Sequence, residues 1–349
     1  MAAHPRSQGS GRMRVASLLF GLIALAALAA LVLRFGDLAA LVVTLRRAEP
    51  AWLLLAVGLQ GATYACVASG WRAVLAKAGD PQPLRRLVPI AISKLFADQV
   101  IPGAGMGGNI LLIDQLTGLG CRRSAAVAAL IISMVGYYAV YALLALAMLV
   151  LLWLHHAATP LLVGVVTTFL LVALAIPSLA LWLRGRGSKP LPRRIEAIPL
   201  VSTLLHVMGE APRRLVTDRR LIATVAAWNG LVFLLDAATL QACMAALGQP
   251  VGFTGAFIAL IAASVVMTLG PIPLGLGSFE ASCTAVLHLL GTPLAGALAG
   301  TMLLRSLTLW LPLIPGLLLL RRSLARRRRK DRARAGTSGR EGGRIVPPS

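Results

Sequence analysis

Two prolines and three glycines interrupt an apolar run at Thr268-Leu269-Gly270-Pro271-Ile272-Pro273-Leu274-Gly275-Leu276-Gly277-Ser278-Phe279-Glu280. Both flanks, Gly255 to Leu269 and Ala281 to Leu290, are apolar enough to lie in lipid, so the break falls at membrane depth. Backbone N–H and C=O groups freed there cannot face hydrocarbon, because each unsatisfied group costs several kcal/mol. The irregular segment must be covered by protein or line a polar cavity. A helix restarting at Ser278, with Glu280 in its first turn, points its free N–H groups and the positive end of its dipole into that space. Such an end suits an anionic headgroup.

A second break has the same plan: Lys94-Leu95-Phe96-Ala97-Asp98-Gln99-Val100-Ile101-Pro102-Gly103-Ala104-Gly105-Met106-Gly107-Gly108-Asn109. It has an apolar approach, an Ile-Pro step, spaced glycines, a polar restart at Asn109 and Asp114 beyond. Either break alone reads equally well as a turn. Two of them in opposite halves of a membrane chain mark the place where transporters of inverted-repeat design bind their substrate.

Composition agrees with a membrane setting. Of 349 residues, 58% are hydrophobic and 13% charged, against about 25% charged in soluble domains. The formal charge of +22 sits in short loops and tails beside apolar runs, as the positive-inside rule and an anionic leaflet require. No soluble domain is left over to bind nucleic acid, so that partner is excluded. Cys66, Cys121, Cys243 and Cys283 lie in or at the ends of apolar segments without metal-ligand spacing, and read as buried small hydrophobes. No metal or cofactor is expected, and no nucleotide-binding motif occurs.

Taken in order, residues 1–14 form a cytoplasmic tail and Val15 to Leu33 a first span, too long for a signal-peptide core. Ala51 to Val74 is the second span. Pro83 to Gly118 holds the first break between basic flanks, which predicts a re-entrant hairpin open to the cytoplasm. Ser124 to Leu154 and Pro160 to Leu183 form a pair of spans joined by an uncharged loop with His155 and His156, which read as polar loop residues rather than a metal site. A basic linker, 184–220, carries a candidate interfacial helix, Ile198 to Met208. Leu221 to Leu247 runs outward, Phe257 to Leu290 forms the second hairpin with both ends external, and Leu294 to Leu320 returns to a basic disordered tail, 323–349. The predicted fold is an all-α polytopic membrane protein. It has about six full spans plus two oppositely inserted broken hairpins as a pseudo-inverted repeat, in a domain covering 15–322 with both termini cytoplasmic. This topology places Arg46 and Arg47 outside, against the positive-inside rule.

The candidate headgroup-binding residues are Lys94, Pro102, Gly105, Gly107 and Asn109 at the first break, Pro273, Gly275, Gly277, Ser278 and Glu280 at the second, and Arg305 in the last span. Asp98 and Asp236 are candidate ion-pair or proton partners, since charges at membrane depth serve a pathway or a partner. Glu280 reads equally as a cap of its own helix. Arg305 can bind a phosphate, or pair with Glu280 or Asp236. Lys94 and Asp98, four residues apart, form either a helix-surface pair or part of a headgroup site. Asn229 and Gln99 read as interhelical hydrogen-bond formers. Ser278 and His288 do not make a protease dyad, because ten residues separate them by about 15 Å of helical rise and leave them roughly 80° apart.

The run Pro271 to Glu280, followed by Gly291-Thr292-Pro293, Arg305 and Leu311-Pro312-Leu313-Ile314-Pro315-Gly316, resembles the flippase-like membrane region of lysylphosphatidylglycerol synthases and the stand-alone membrane proteins built on it. Gly70-Trp71-Arg72-Ala73-Val74-Leu75 and Val100-Ile101-Pro102-Gly103-Ala104-Gly105 are similar to that family's N-terminal motifs. Where the family commonly has an Arg after the first Pro-Gly motif, this chain has Gly108-Asn109-Ile110. Where it has an acidic-Arg pair in the next span, this chain has Leu130-Ile131-Ile132-Ser133. The resemblance implies a cell-membrane protein that moves an anionic phospholipid or lipid-linked headgroup between leaflets without ATP. A non-transporting subunit that binds lipid and scaffolds a separate lipid- or glycan-modifying enzyme is the other expectation. The family's aminoacyl-transferring members carry a soluble catalytic domain after the membrane region, and none follows here, so the chain is expected not to be an enzyme.

Overall fold

The computed structural model describes residues 48–100, 106–154, 163–171, 173, 212–270, 275–310 and 315. The expected spans at 15–33, 160–183 and 294–320 lie wholly or partly outside these residues. The tails, the His155-His156 loop, the interfacial helix at 198–208, Pro102, Gly105 and Pro273 lie outside them altogether.

Among the described residues, three helices are long and apolar enough to cross a membrane: α1 (Pro50–Lys77), α4 (Arg123–Leu154) and α6 (Arg219–Ala246). Pro50 starts α1 where a missing N–H costs nothing. Asp218 caps α6, its carboxylate accepting from the N–H groups of Arg220 and Leu221. Between them come α2 (Leu84–Val100), α3 (Met106–Gly118) and the single turn α5 (Arg213–Val216). After them come α7 (Phe253–Leu269), α8 (Ser278–Leu289) and α9 (Leu294–Arg305), with a π-helical turn, Ser306–Trp310, continuing α9. Leu54, Leu143, Leu146, Val150 and Trp153 stand exposed on α1 and α4, an apolar surface suited to lipid.

Small residues let the long helices close on one another, as packing in lipid requires. A side chain at Gly70 of α1 would touch Val225 and Trp228 of α6, and one at Gly136 of α4 would press on the Ala226 backbone at 3.1 Å. Asn229 of α6 donates to the Ser133 carbonyl of α4 at 3.3 Å, the interhelical bond expected of it.

This frame carries two hydrophobic clusters, one toward each end. The first joins Trp71, Val74 and Leu75 of α1, the α2–α3 hairpin, residues 125–132 of α4 and Leu221 and Val225 of α6. The second joins Ala56 of α1, Tyr141 to Leu152 of α4, Phe233 to Met244 of α6 and the α7–α8 hairpin. Each hairpin therefore packs on the opposite end of the same three helices. Their 17-residue leading arms, α2 and α7, each rise about 25 Å.

Polar latches fasten the first end. Arg122 donates its backbone N–H to Asp80 Oδ2 at 2.9 Å, pairs with that carboxylate through Nε at 3.2 Å, and also reaches the Ala78 carbonyl. Lys77 pairs with Asp218 at 3.2 Å. Hydrogen bonds from Arg122 hold the Asp80 carboxyl below its ordinary value, and the Leu221 N–H together with Lys77 does the same for Asp218.

Candidate functional site

The second break is built around Glu280. Helix α7 stops at Leu269, and Gly275 and Gly277 then take left-handed backbone (φ +61° and +86°), which strains any other residue. A Cβ at Gly275 would also run into the Met267 side chain. Ser278 opens α8, its hydroxyl donating back to the Gly275 carbonyl at 3.1 Å. Glu280 Oε2 accepts from the Gly277 N–H at 2.7 Å, so the carboxylate caps its own helix.

Its other oxygen does something else. Arg305 Nε, at the end of α9, donates to Glu280 Oε1 at 2.7 Å, and the two side chains are only 10% and 3% exposed. The guanidinium also lies over the Phe279 ring, 4.7 Å from its centre. Glu280 thus both caps and pairs, and it is Glu280 that holds Arg305 through Nε. The π-helical turn beginning at Ser306 adds a local widening of the helix next to the charge, a feature frequent at functional sites.

The first break is arranged differently. Lys94 and Asp98 pair within α2 at 2.6 Å, each about a quarter exposed. Asp98 Oδ1 is buried with no hydrogen-bond partner among the described residues. Helix α3 begins at Met106, a turn before the restart expected at Asn109, so Gly107 and Gly108 lie inside its first turn. Packing explains the glycine at 108: a Cβ there would meet the Asp98 carboxylate and the Lys94 carbonyl, the latter at 2.8 Å. Leu130, Ile131 and Ile132 are buried in the first cluster.

Asp236 sits on α6, facing Gln60 and Tyr64 of α1 and Tyr137 of α4. Sequence reasoning singled out Asp236 but missed Gln60 and Tyr64. Their four-residue spacing on an otherwise apolar helix was the signal available. A cavity of about 310 Å³ at the open end of the second hairpin is lined by Gln249, Gly252, Thr254, Leu290, Thr292 and neighbours, and brings no charged side chain to an anionic headgroup.

A family model described as the lysylphosphatidylglycerol synthase TM region matches residues 15–316. No curated protein matches the chain.

Proposed function

The chain belongs to the lysylphosphatidylglycerol synthase transmembrane-region family, and from that premise we propose that it carries an anionic phospholipid or lipid-linked headgroup between leaflets of the cell membrane without ATP. The observation that carries this reading is the buried Arg305–Glu280 pair beside a broken helix. A buried cation beside an interrupted membrane helix is a costly feature, and such features mark substrate pathways. In this reading Arg305 exchanges partners: Glu280 holds it at rest, and a lipid phosphate takes the place of Glu280 during transfer. Bidentate guanidinium–phosphate geometry favours that exchange.

Ser278, Gly275 and Gly277 would shape the main chain around the headgroup, with Pro273 setting the turn before them. The first hairpin, entering from the cytoplasmic face, would present Lys94, Asn109, Pro102, Gly105 and Gly107 from the other side. Six spans, two oppositely inserted hairpins related by a pseudo-twofold and cytoplasmic termini complete the architecture, and one half rocking against the other supplies alternating access. Partners are membrane phospholipids.

Reconstitution into vesicles with a labelled anionic phospholipid tests this. Leaflet exchange above the protein-free rate is expected, and Arg305→Ala should return it to that rate. Equal exchange in both proteins sinks the proposal. Absence of exchange in either, with lipid still bound, favours a non-transporting subunit that scaffolds a separate lipid- or glycan-modifying enzyme.

A further inference from the structure

A second polar cluster sits on the three long helices, which carry neither Glu280 nor Arg305. Gln60 and Tyr64 stand one turn apart on α1, and the Gln60 side chain lies near both the Tyr64 phenol and the Asp236 carboxyl on α6. Gln60 and Tyr64 are 5% and 7% exposed. Three oxygens of the group, Gln60 Oε1, Tyr64 Oη and Asp236 Oδ1, are buried without a hydrogen-bond partner among the described residues. The Gln60 amide nitrogen already donates to Thr63 Oγ1 at 3.3 Å.

Counting donors shows what is missing. The Gln60 amide has a second N–H to offer Asp236 or Tyr64, yet with the carboxylate ionised Gln60 Oε1 and Asp236 Oδ1 are both acceptors and keep no donor. Adding a single proton completes the set: Asp236 donates to Gln60 Oε1, and Tyr64 donates to the other Asp236 oxygen.

No fixed cation takes the proton's place among the described helices packed around Asp236. Helix α7 has no ionisable side chain, and α9 offers only Arg305, which bonds Glu280. Helix α4 brings Tyr137, Tyr138 and Tyr141, with Arg123 at its far start. The remaining ionisable groups of α1 are Cys66, Arg72 and Lys77, the two bases in its last two turns, and α6 itself adds Arg219 and Arg220 at its start and Cys243. A lone carboxylate held there at membrane depth is costly unless neutralised.

We propose that Asp236 is a proton-binding site, holding one proton between Gln60 and Tyr64 and exchanging it once per lipid translocation cycle. The proton arrives from water on one side as the carboxylate becomes an acid, and returns to water on the other side. Only an O–H bond forms and breaks. The coupling to lipid movement rests on the proposed function; the proton site itself does not.

Two measurements separate them. Infrared pH titration of the full chain in phospholipid vesicles should show a protonated-carboxyl C=O band that is absent in Asp236→Asn and shifted in midpoint in Tyr64→Phe. If Asp236→Asn leaves the carboxyl bands unchanged, the site is overturned, whether or not lipid moves. In vesicles with a labelled anionic lipid and an entrapped pH dye, wild type should exchange lipid at least several-fold faster under a pH gradient and move protons with it. Asp236→Asn should lose both the gradient response and the proton movement. Exchange driven by a sodium gradient, or indifferent to pH, overturns the coupling, whereas no exchange at all in wild type overturns the proposed function and leaves the infrared result to decide the site.

Discussion

The two hairpins share a sequence plan, yet they spend their charges differently. In the second, Glu280 of α8 reaches across to Arg305 of α9, and both are buried. In the first, Lys94 and Asp98 pair within one helix and stay partly exposed. Glycine also plays two parts. Gly275 is needed for left-handed backbone and for clearance from Met267, whereas Gly108 is helical and is needed only because α2 passes so close. A Pro-Gly break, then, fixes where a membrane helix stops but not how its polar atoms are satisfied. One of these pairs joins two helices, and the other lies within one.

The sharpest way to break this contrast is to remove one cation from each. Arg305→Ala leaves Glu280 buried and unpaired and should cost about 3–5 kcal/mol, read as a large fall in thermal midpoint in detergent. Equal losses from Arg305→Ala and Lys94→Ala would erase the distinction. Next come the glycines. Gly275→Ala and Gly108→Ala should each cost about 1–3 kcal/mol by overpacking. Gly108 has the rigid Lys94 carbonyl to displace, while Gly275 carries the backbone strain as well. Lys94→Ala itself should cost under about 1 kcal/mol, as partly exposed pairs do, and should move the thermal midpoint only slightly.

The smallest expected effect is a pH dependence at the base of the first hairpin. Asp80 and Asp218 titrate below their unfolded values, so their contribution is complete at neutral pH and is lost as pH falls through those lowered values. Amide-exchange protection in residues 78–84 and 119–124, taken relative to the intrinsic rate at each pH, should fall on acidification below the ordinary carboxylate range, and Asp80→Asn should remove most of that change.

Much of this was readable beforehand, for physical reasons. Breaks at Pro271-Ile272-Pro273 and Ile101-Pro102-Gly103 announce themselves because proline and closely spaced glycines cluster there between apolar runs, and few charges compete for a role among so many apolar residues. That scarcity brought Glu280 and Arg305 forward together. What the chain did not reveal was register. Whether Arg305 meets Glu280 or Asp236, and that Gln60 and Tyr64 face Asp236, depends on how α1, α6, α8 and α9 slide against one another, which small-residue contacts such as Gly70 on Val225 settle. The start of α3 was misplaced because glycine's low helix propensity points to a restart only at Asn109, whereas the helix begins at Met106.

One double variant tests the central claim with the least disturbance to the fold. Replacing Glu280 and Arg305 together, by Glu280→Gln and Arg305→Gln, removes both buried charges, so no unpaired ion is left behind. Leaflet exchange of a labelled anionic phospholipid by this folded protein should fall to the protein-free rate. Exchange at the wild-type rate would show that the charge at Arg305 takes no part in carrying the lipid.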